Sequence, residues 1–107
     1  MKIIIHGVRI EVTAAIKSHV EEKIGMLAHH MDPKHADLAE ARVEVGKPSE
    51  HHHKGEVFYA EVNLKMGKEF MRATVTKNDL YTAINDCRNE LERQLDKHKT
   101  KEKEHRR

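Results

Sequence analysis

The chain has 107 residues, a length that suits one domain, and a composition of 37% hydrophobic and 36% charged residues with a formal net charge of +2. Its single cysteine, Cys87, excludes an internal disulfide framework and suits a reducing cytoplasm. No apolar run approaches the roughly 18 residues that a membrane-spanning helix needs, so we expect a cytoplasmic protein with no membrane partner.

The first part of the chain predicts a strand and then a helix. KIIIHG, residues 2–7, reads as a short strand. After Thr13, apolar residues recur at spacings of four, four, three and four, which is the period of one helix face: Ile16, Val20, Ile24, Leu27 and Met31. Thr13 is the expected N-cap of this helix, and Asp32-Pro33 is expected to end it. KHADLAEA then predicts a polar connection.

Three strands are predicted next. ARVEVG alternates between apolar and polar residues, and after the turn segment KPSEHHHKG the stretches EVFYAEVNLKM and EFMRATVT alternate again. Gly67-Lys68 joins the last two as a hairpin. The polar side of these strands is expected to face water, and it carries Tyr59, Glu61, Asn63, Arg72 and Thr74.

A second long helix is expected to start after an N-cap at Asn78 or Asp79 and to run to about residue 98. Its apolar stripe comprises Leu80, Ile84, Cys87, Leu91, Leu95 and His98. Residues 97–107 hold six Lys or Arg against two Glu, a pattern typical of a polyanion partner. We expect one domain over residues 1–99 and a basic, disordered tail over residues 100–107.

The element order is therefore β-α-β-β-β-α. Both helices carry one apolar stripe, so both should cover the same face of the sheet. The predicted fold is an α+β two-layer sandwich, with a four-stranded sheet and two helices on one face.

The histidines do not form a convincing metal site. His51, His52 and His53 are consecutive in a predicted loop, where they cannot all reach one tetrahedral ion without strain. His29, His30 and His35 give an H-x₅-H spacing at best, with no cysteine near, whereas structural zinc sites usually combine such a spacing with cysteines. We expect solvated loop histidines and no metal or other cofactor.

Catalytic motifs are also missing. The sequence has no nucleophile elbow, no phosphate-binding glycine loop, no H-E-x-x-H and no paired carboxylates. We predict that the protein is not an enzyme and has no small-molecule substrate.

Cations and one tyrosine recur on the two predicted helices: Lys17 and Lys23 on the first, Lys77 just before the second, and Tyr81, Arg88, Arg93, Lys97 and Lys99 on it. A tyrosine in line with cations can stack on a nucleotide while the cations hold phosphates. The alternative is an ordinary amphipathic helix whose cations pair with Asp86, Glu90, Glu92 and Asp96. Charge alone does not distinguish the two.

Two stretches of the second helix resemble a known family. DLYTAIN, residues 79–85, and LERQLDKHK, residues 91–99, are similar to the second helix of the ribosome hibernation factors, also called ribosome-associated translation inhibitors or the sigma-54 modulation protein family. EVTAAIKSHVEEKIGMLAHHM, residues 11–31, resembles the first helix of that family, and FYAEVNL its third strand. The resemblance covers residues 1 to about 99 and agrees with the predicted element order.

This resemblance implies a function. Members of the family bind the small ribosomal subunit between head and body, with basic helices against ribosomal RNA in the decoding channel, where messenger and transfer RNA would pass. The implied protein inhibits translation and preserves inactive ribosomes under stress or in stationary phase. The chain resembles the short form of the family. Some short members act with a ribosome modulation factor to make ribosome dimers, and the basic tail favours that subtype.

Carried over by position, Lys17 and Lys23 fall where the family has RNA-facing cations on the first helix. The counterpart helix supplies Tyr81, Arg88, Arg93, Lys97 and Lys99, and with Lys77 these make eight candidate ribosome-binding residues. Where the family often has further lysines on the first helix, this chain has His29 and His30. We hypothesise that their protonation in an acidified cytoplasm would replace those cations.

Two other functions fit the sequence less closely. A general module for double-stranded RNA also combines helices with a small sheet, but it reads duplex shape through spaced loops, and here the loop before FYAEVNL offers only Lys47 and Lys54. A histidine-rich metal-responsive protein is the third possibility.

Overall fold

The structure, a computed structural model, describes residues 1–48 and 57–105, with side chains described as far as Lys99. The loop histidines His51–His53 lie outside the described residues. The elements in chain order are β1 (Lys2–Val8), α1 (Ala14–Gly25), a 3₁₀ segment (Met26–His30), α2 (Pro33–Leu38), β2 (Glu40–Gly46), β3 (Phe58–Met66), β4 (Glu69–Lys77) and α3 (Leu80–His105).

The four strands form one mixed sheet in the order β1-β2-β3-β4. β1 pairs with β2 in parallel, because the chain returns through α1, whereas β2–β3 and β3–β4 are antiparallel. The β3–β4 hairpin turns at Gly67 and Lys68 as expected. Gly67 has a φ of +62°, and only glycine adopts this conformation readily at the first position of such a two-residue turn.

One apolar layer lies between the sheet and the helices. From the sheet it contains Val43, Val45, Ala60, Val62, Leu64 and Ala73, and from the helices Val20, Ile24, Leu27, Ile84, Cys87, Leu91 and Leu95, all of them buried. The alternation of the strands and the stripes of both helices thus predict most of the buried residues correctly, whereas Ile16 and His98 of the predicted stripes are only partly buried. The two-layer α+β sandwich is confirmed.

Both long helices begin where the sequence places their caps. Thr13 Oγ1 accepts a hydrogen bond from the Ile16 backbone N–H at 3.2 Å. Asp79 accepts from the Tyr81 and Thr82 N–H groups and from the Thr82 hydroxyl, at 3.3, 3.3 and 2.7 Å. These bonds lower the pKa of the Asp79 carboxyl, the one from the Thr82 side chain most strongly. Asp79, rather than Asn78, is the N-cap.

The prediction of one helix from Thr13 to Asp32 was wrong in its second half. The α-helix ends at Gly25, the poorest helix former in the segment, and continues as the tighter 3₁₀ segment. The predicted polar connection was also wrong, because Pro33 starts α2. Proline suits the first turn of a helix, and Asp32 caps it by accepting from the His35 N–H at 2.9 Å.

The last helix is longer than expected. α3 runs to His105, so the backbone of residues 100–105 is helical although we expected a disordered tail from residue 100. Among its residues up to Lys99, the last buried one is Leu95, and the helical backbone continues for roughly 15 Å beyond it to His105. The C-terminal part of α3 therefore projects past the core.

The other face of the sheet meets water, as predicted. Polar side chains bridge neighbouring strands there: Tyr59 of β3 donates to Glu44 of β2 at 2.7 Å, and Arg72 of β4 to Asn63 of β3 at 2.6 Å. Along β3, Asn63 donates to Glu61 at 3.0 Å. Partial burial raises the pKa of Tyr59 to about 12, and the hydrogen bond to Glu44 is the second cause of this shift. This layer of hydrogen bonds fixes the outward side chains of the three strands.

Candidate ribosome-binding surface

The two long helices lie side by side in parallel on the sheet. His19 and Asn85 are joined by a contact of 2.9 Å between Nε2 and Oδ1, and His30 and Asp96 by one of 3.1 Å between Nδ1 and Oδ1. In each pair the two residues are 66 positions apart in sequence. From the first pair to the second, both partners advance by eleven residues, so the two helices run in the same direction. We call their outward surface the helical face.

The helical face does not place all eight candidate residues together. Tyr81 packs edge-on against His19, with ring centroids 4.8 Å apart, and Arg88 reaches Met26, so both lie on the side of α3 that faces α1. Lys99 follows Arg88 by eleven residues and returns to that side. Arg93 lies about 140° round the helix from Arg88. The candidates on α3 thus form two separate rows.

The second row lies nearer β4. Arg93 pairs with Glu90, and Gln94 connects Glu90 to the backbone carbonyl of Arg72 on β4. Lys77, the last residue of β4, contacts Asp86 on the same flank of α3 at 3.7 Å.

Most candidate cations have an acidic partner. The five ion pairs are Lys17–Glu21 and Lys23–Glu22 at 3.9 Å, Lys77–Asp86 at 3.7 Å, Arg88–Glu92 at 3.6 Å and Arg93–Glu90 at 2.7 Å. The alternative reading of an amphipathic helix with paired surface charges is therefore correct as a description of the isolated chain. Such exposed pairs contribute only about 0–1 kcal/mol each, so a polyanion can displace the carboxylates.

The tightest of these pairs is Arg93 with Glu90. Arg93 donates to both carboxylate oxygens, at 3.0 and 2.7 Å, and Gln94 donates to one of them at 3.1 Å. The Arg93 bond, and then the Gln94 bond, lower the pKa of Glu90 to about 2. The same interaction raises the pKa of Arg93. Both groups are charged at any pH at which the protein would work.

Arg88 is held in place rather than freely exposed. Its Nε and Nη2 donate to Asn89 Oδ1 at 3.2 and 2.7 Å, and its Nη1 lies 3.4 Å from Met26 Sδ, while only 21% of the side chain is exposed. The guanidinium therefore lies at the junction of α3 with the 3₁₀ segment. A cation fixed in this way loses little side-chain entropy when it binds a phosphate.

Lys97 and Lys99 differ from the other candidates. Both lie beyond Leu95, on the projecting part of α3, and both are exposed. Neither forms an ion pair with any residue whose side chain is described. They are the cations of the candidate set that a polyanion can reach with no carboxylate to displace among these residues.

The contacts between α1 and α3 could not be read from the sequence. His19, Asn85 and Tyr81 form one cluster, and His30 lies between Asp96 and Glu92, 3.5 Å from the Glu92 carboxylate. The equal separation of 66 residues is apparent only once the helices are known to be parallel. These contacts fix the spacing of the two cation-bearing helices.

This arrangement changes the hypothesis about His29 and His30. A proton taken up by His30 would be shared with two carboxylates of α3 and would tighten an internal contact. His29 is exposed, so of the two it is the one that can supply a replacement cation.

The described residues show no metal site, no membrane-spanning helix and no reactive thiol. Within residues 1–48 and 57–99, whose side chains are described, no group of three or more His, Cys, Asp or Glu could hold a metal ion. No helix of that part is long and apolar enough to cross a membrane. The one cysteine, Cys87, is buried with its Sγ 3.2 Å from the Ala60 carbonyl oxygen, and burial raises its pKa to about 12, so it is not a reactive thiolate.

The sequence is similar to those of curated proteins. The chain is 40% identical over 97 residues to the ribosome hibernation promotion factor of Bacillus subtilis (strain 168) and 35% identical over 101 residues to that of Lactococcus lactis subsp. cremoris (strain MG1363). The alignments cover 91% and 94% of this chain but 48% and 51% of the relatives. The chain thus spans about half the length of the curated relatives it matches.

Solved structures support the fold. The crystal structure of the N-terminal domain of Thermus thermophilus Protein Y superimposes with a TM-score of 0.74 at 26% identity, covering 92% of this chain and 99% of that one. A ribosomal subunit interface protein from Coxiella burnetii gives a TM-score of 0.71 at 21% identity, covering 94% and 99%, and at that identity it shows the shared fold alone.

The family itself is shown by a match over nearly the whole chain. Residues 3–103 fit the family described as Sigma 54 modulation protein / S30EA ribosomal protein. This confirms the resemblance seen in the two helices, and it agrees with the prediction that the chain is not an enzyme. The chain belongs to the Sigma 54 modulation protein / S30EA ribosomal protein family.

Proposed function

We propose that this protein is a ribosome hibernation factor. It binds the small ribosomal subunit at the decoding channel, excludes messenger and transfer RNA, and so inhibits translation and preserves inactive ribosomes under stress or in stationary phase. It acts in the cytoplasm by occupying the channel, without cofactor, substrate or turnover. The observation that carries the proposal is the alignment of 91–94% of the chain with proteins named ribosome hibernation promotion factor.

The helical face supports this function physically. It presents the candidate cations on two parallel helices fixed by the His19–Asn85 contact, which gives ribosomal RNA phosphates a rigid set of partners. The competing carboxylates are exposed or partly exposed, so the ion pairs can open at small cost. Phosphate contacts of this kind supply affinity and orientation without reading a base sequence.

The projecting end of α3 supports a channel-binding mode. The described molecule measures 54 × 24 × 19 Å, and the helix beyond Leu95 is a narrow extension that carries Lys97 and Lys99. A thin basic rod can enter a groove lined by RNA backbone more deeply than the two-layer body can. We assign the strongest phosphate contacts to this end.

A partner protein is a further part of the proposal. Six of the last eleven residues are Lys or Arg, and this charge favours the mode in which the factor acts with a ribosome modulation factor to form ribosome dimers. Sucrose-gradient profiles of cells with and without the protein would show dimers or single particles.

The first test removes two cations from α3. Purified Arg93→Ala/Lys97→Ala protein is compared with wild type for co-sedimentation with small subunits over a salt series. Each lost phosphate contact lowers the slope of log affinity against log salt by about one unit. The fall in affinity between about 50 and 200 mM salt should then be about tenfold smaller for the variant than for wild type. Inhibition of in vitro translation should weaken in parallel.

A control removes the same charge elsewhere. Lys34→Ala/Lys68→Ala takes two exposed lysines from α2 and the β3–β4 turn, away from the helical face. It should keep the wild-type slope and affinity. If the control lowers the slope as much as the α3 variant, the helical face is not the binding surface. If a short duplex RNA binds as tightly as the small subunit, the protein is a general duplex-binding module.

A further inference from the structure

The water-facing side of the sheet has a cationic half and an acidic half. Its side chains form rows across the strands, as the register gives them. The rows at one end are Lys2–Glu40–Lys65–Phe70 and Ile4–Arg42–Asn63–Arg72, and the next row is His6–Glu44–Glu61–Thr74. The first two rows hold four cations against one carboxylate, whereas the third holds two carboxylates. Charge is therefore separated along the strands.

The cationic half contains a shallow groove. It has a volume of about 350 Å³ and is lined by Glu40, Arg42, Asn63, Lys65, Phe70 and Arg72. We call it the sheet groove. Pockets that hold small ligands or single groups begin at about this size. The Asn63 side chain in this groove is held in place, because it forms hydrogen bonds with both Glu61 and Arg72.

Phe70 provides an aromatic surface at the edge of this groove. It is 72% exposed, although it is one of only two phenylalanines in the chain. The Lys65 ammonium lies 5.8 Å from its ring centroid. One exposed apolar side chain is ordinary on a protein surface. Its position between cations is what gives this one a specific use.

The two arginines of the groove have donors to spare. Arg72 uses Nε for its hydrogen bond to Asn63, and Arg42 makes only a 3.8 Å ion pair with Glu40 through Nε. Their side chains are 70% and 71% exposed. The terminal nitrogens of both guanidiniums form no hydrogen bond with the described residues. Each can bind a phosphate with two parallel N–H donors.

We infer that the sheet groove binds single-stranded RNA, with a base stacked on Phe70 and the flanking phosphates on Arg42 and Arg72. Unpaired bases offer a flat face for an aromatic ring, which a duplex keeps inside its stack. An acidic peptide would satisfy the cations and leave the ring without a function. The groove lies on the opposite side of the sheet from the helical face, and the inference does not depend on ribosome binding by the helices.

The test uses the isolated protein and a fluorescein-labelled oligouridylate of about six nucleotides, a length within the range of single-strand sites. Fluorescence anisotropy gives the affinity. Phe70→Ala should weaken binding at least fivefold, because stacking a base on an aromatic ring is worth about 5- to 150-fold in affinity, and Phe70→Tyr should restore it. Arg42→Gln/Arg72→Gln should reduce the salt slope by about 1.4, since each single-strand phosphate contact contributes about 0.7.

Two controls locate the effect. Thr76→Ala changes an exposed residue on the same face of β4, outside the groove, and Lys34→Gln removes an exposed cation from α2, outside both the groove and the candidate set. Both should bind the oligouridylate as wild type does, and circular dichroism should show every variant folded. The inference is overturned if wild type does not bind the oligouridylate at low salt or if Phe70→Ala changes nothing. It is also overturned if Lys34→Gln loses binding equally, or if a glutamate-rich peptide displaces the RNA at a lower concentration than unlabelled oligouridylate does.

Discussion

The packing of α3 on the sheet gives the most direct test of the structure. Leu91 lies in the middle of the buried stripe of α3, with no exposed surface. Leu91→Ala removes three carbon groups from the core, a loss of roughly 2.4 kcal/mol in transfer free energy at about 0.8 kcal/mol per group. The cavity left behind adds about 1 kcal/mol, which brings the expected loss to about 3.5 kcal/mol, within the range seen for buried leucines.

This loss should be visible as a lower melting temperature. The entropy of unfolding is about 2.1 cal/mol/K per residue near the transition, so the melting temperature of a 107-residue chain should fall by roughly 15 °C for this change. A domain of this size typically has about 5–15 kcal/mol of stability, so the variant stays folded at 25 °C. The proposed binding to small subunits should therefore remain close to that of wild type at 25 °C, because the Leu91 side chain is buried in the core.

Leu38→Ala is a matched control. It makes the same chemical change at the last residue of α2, where the leucine is 76% exposed. Its free energy of unfolding should change by less than about 0.5 kcal/mol. Thermal denaturation followed by circular dichroism measures both variants. Equal melting temperatures for the two would show that α3 does not pack on the sheet at Leu91, and the placement of the helical face would then be wrong.

Three further outcomes are expected. Thr13→Ala removes the side-chain cap of α1 and should cost about 1 kcal/mol in urea denaturation, while Ser18→Ala on the exposed side of the same helix should cost far less; equal costs would contradict the cap. Cys87 should react with Ellman's reagent only after unfolding, and fast reaction of the native protein would contradict its burial. The folded pKa of Glu90 lies below its ordinary value, at about 2, so its contribution to stability is present above about pH 4.5 and is lost as the pH falls through 2. An NMR titration should find the midpoint raised in Arg93→Ala, and an unchanged midpoint would remove Arg93 as the cause.

Local chemistry explains what was predictable in the fold. A threonine and an aspartate before apolar periodic stretches mark helix starts, because their side chains accept from backbone N–H groups that the helix leaves unpaired. Thr13 and Asp79 both do so. The alternation in β3 and β4 assigned their buried and exposed sides correctly, since successive side chains of a strand point to opposite faces.

The errors arose where local signals compete. Pro33 was read as the end of one helix, but proline is equally suited to the start of the next, and Asp32 makes it a start. Gly25 was accepted inside a continuous helix because the apolar spacing continues through it. That spacing is satisfied by an α-helix followed by a 3₁₀ turn, which keeps Leu27 buried.

The candidate surface was predicted only in part. The sequence identified which helices carry cations, but not which carboxylate each cation meets or that Arg88 is held against Met26. Nor did it indicate that Arg42 shares one groove with Phe70 and Arg72, since Arg42 lies on β2 and the other two on β4. Such proximity depends on strand order and register, to which sequence spacing gives no direct guide.

The sequence by itself determined the four strands, the starts of the two long helices, their apolar sides and the family, because these follow from periods of two and about 3.6 residues and from short motifs read along one segment. The tertiary structure decided the parallel placement of α1 and α3, the contacts of His19 with Asn85 and of His30 with Asp96, and the separation of charge along the strands. These are contacts between residues far apart in the chain. They exist only when a buried apolar layer brings distant segments together, and that layer is a property of the whole fold.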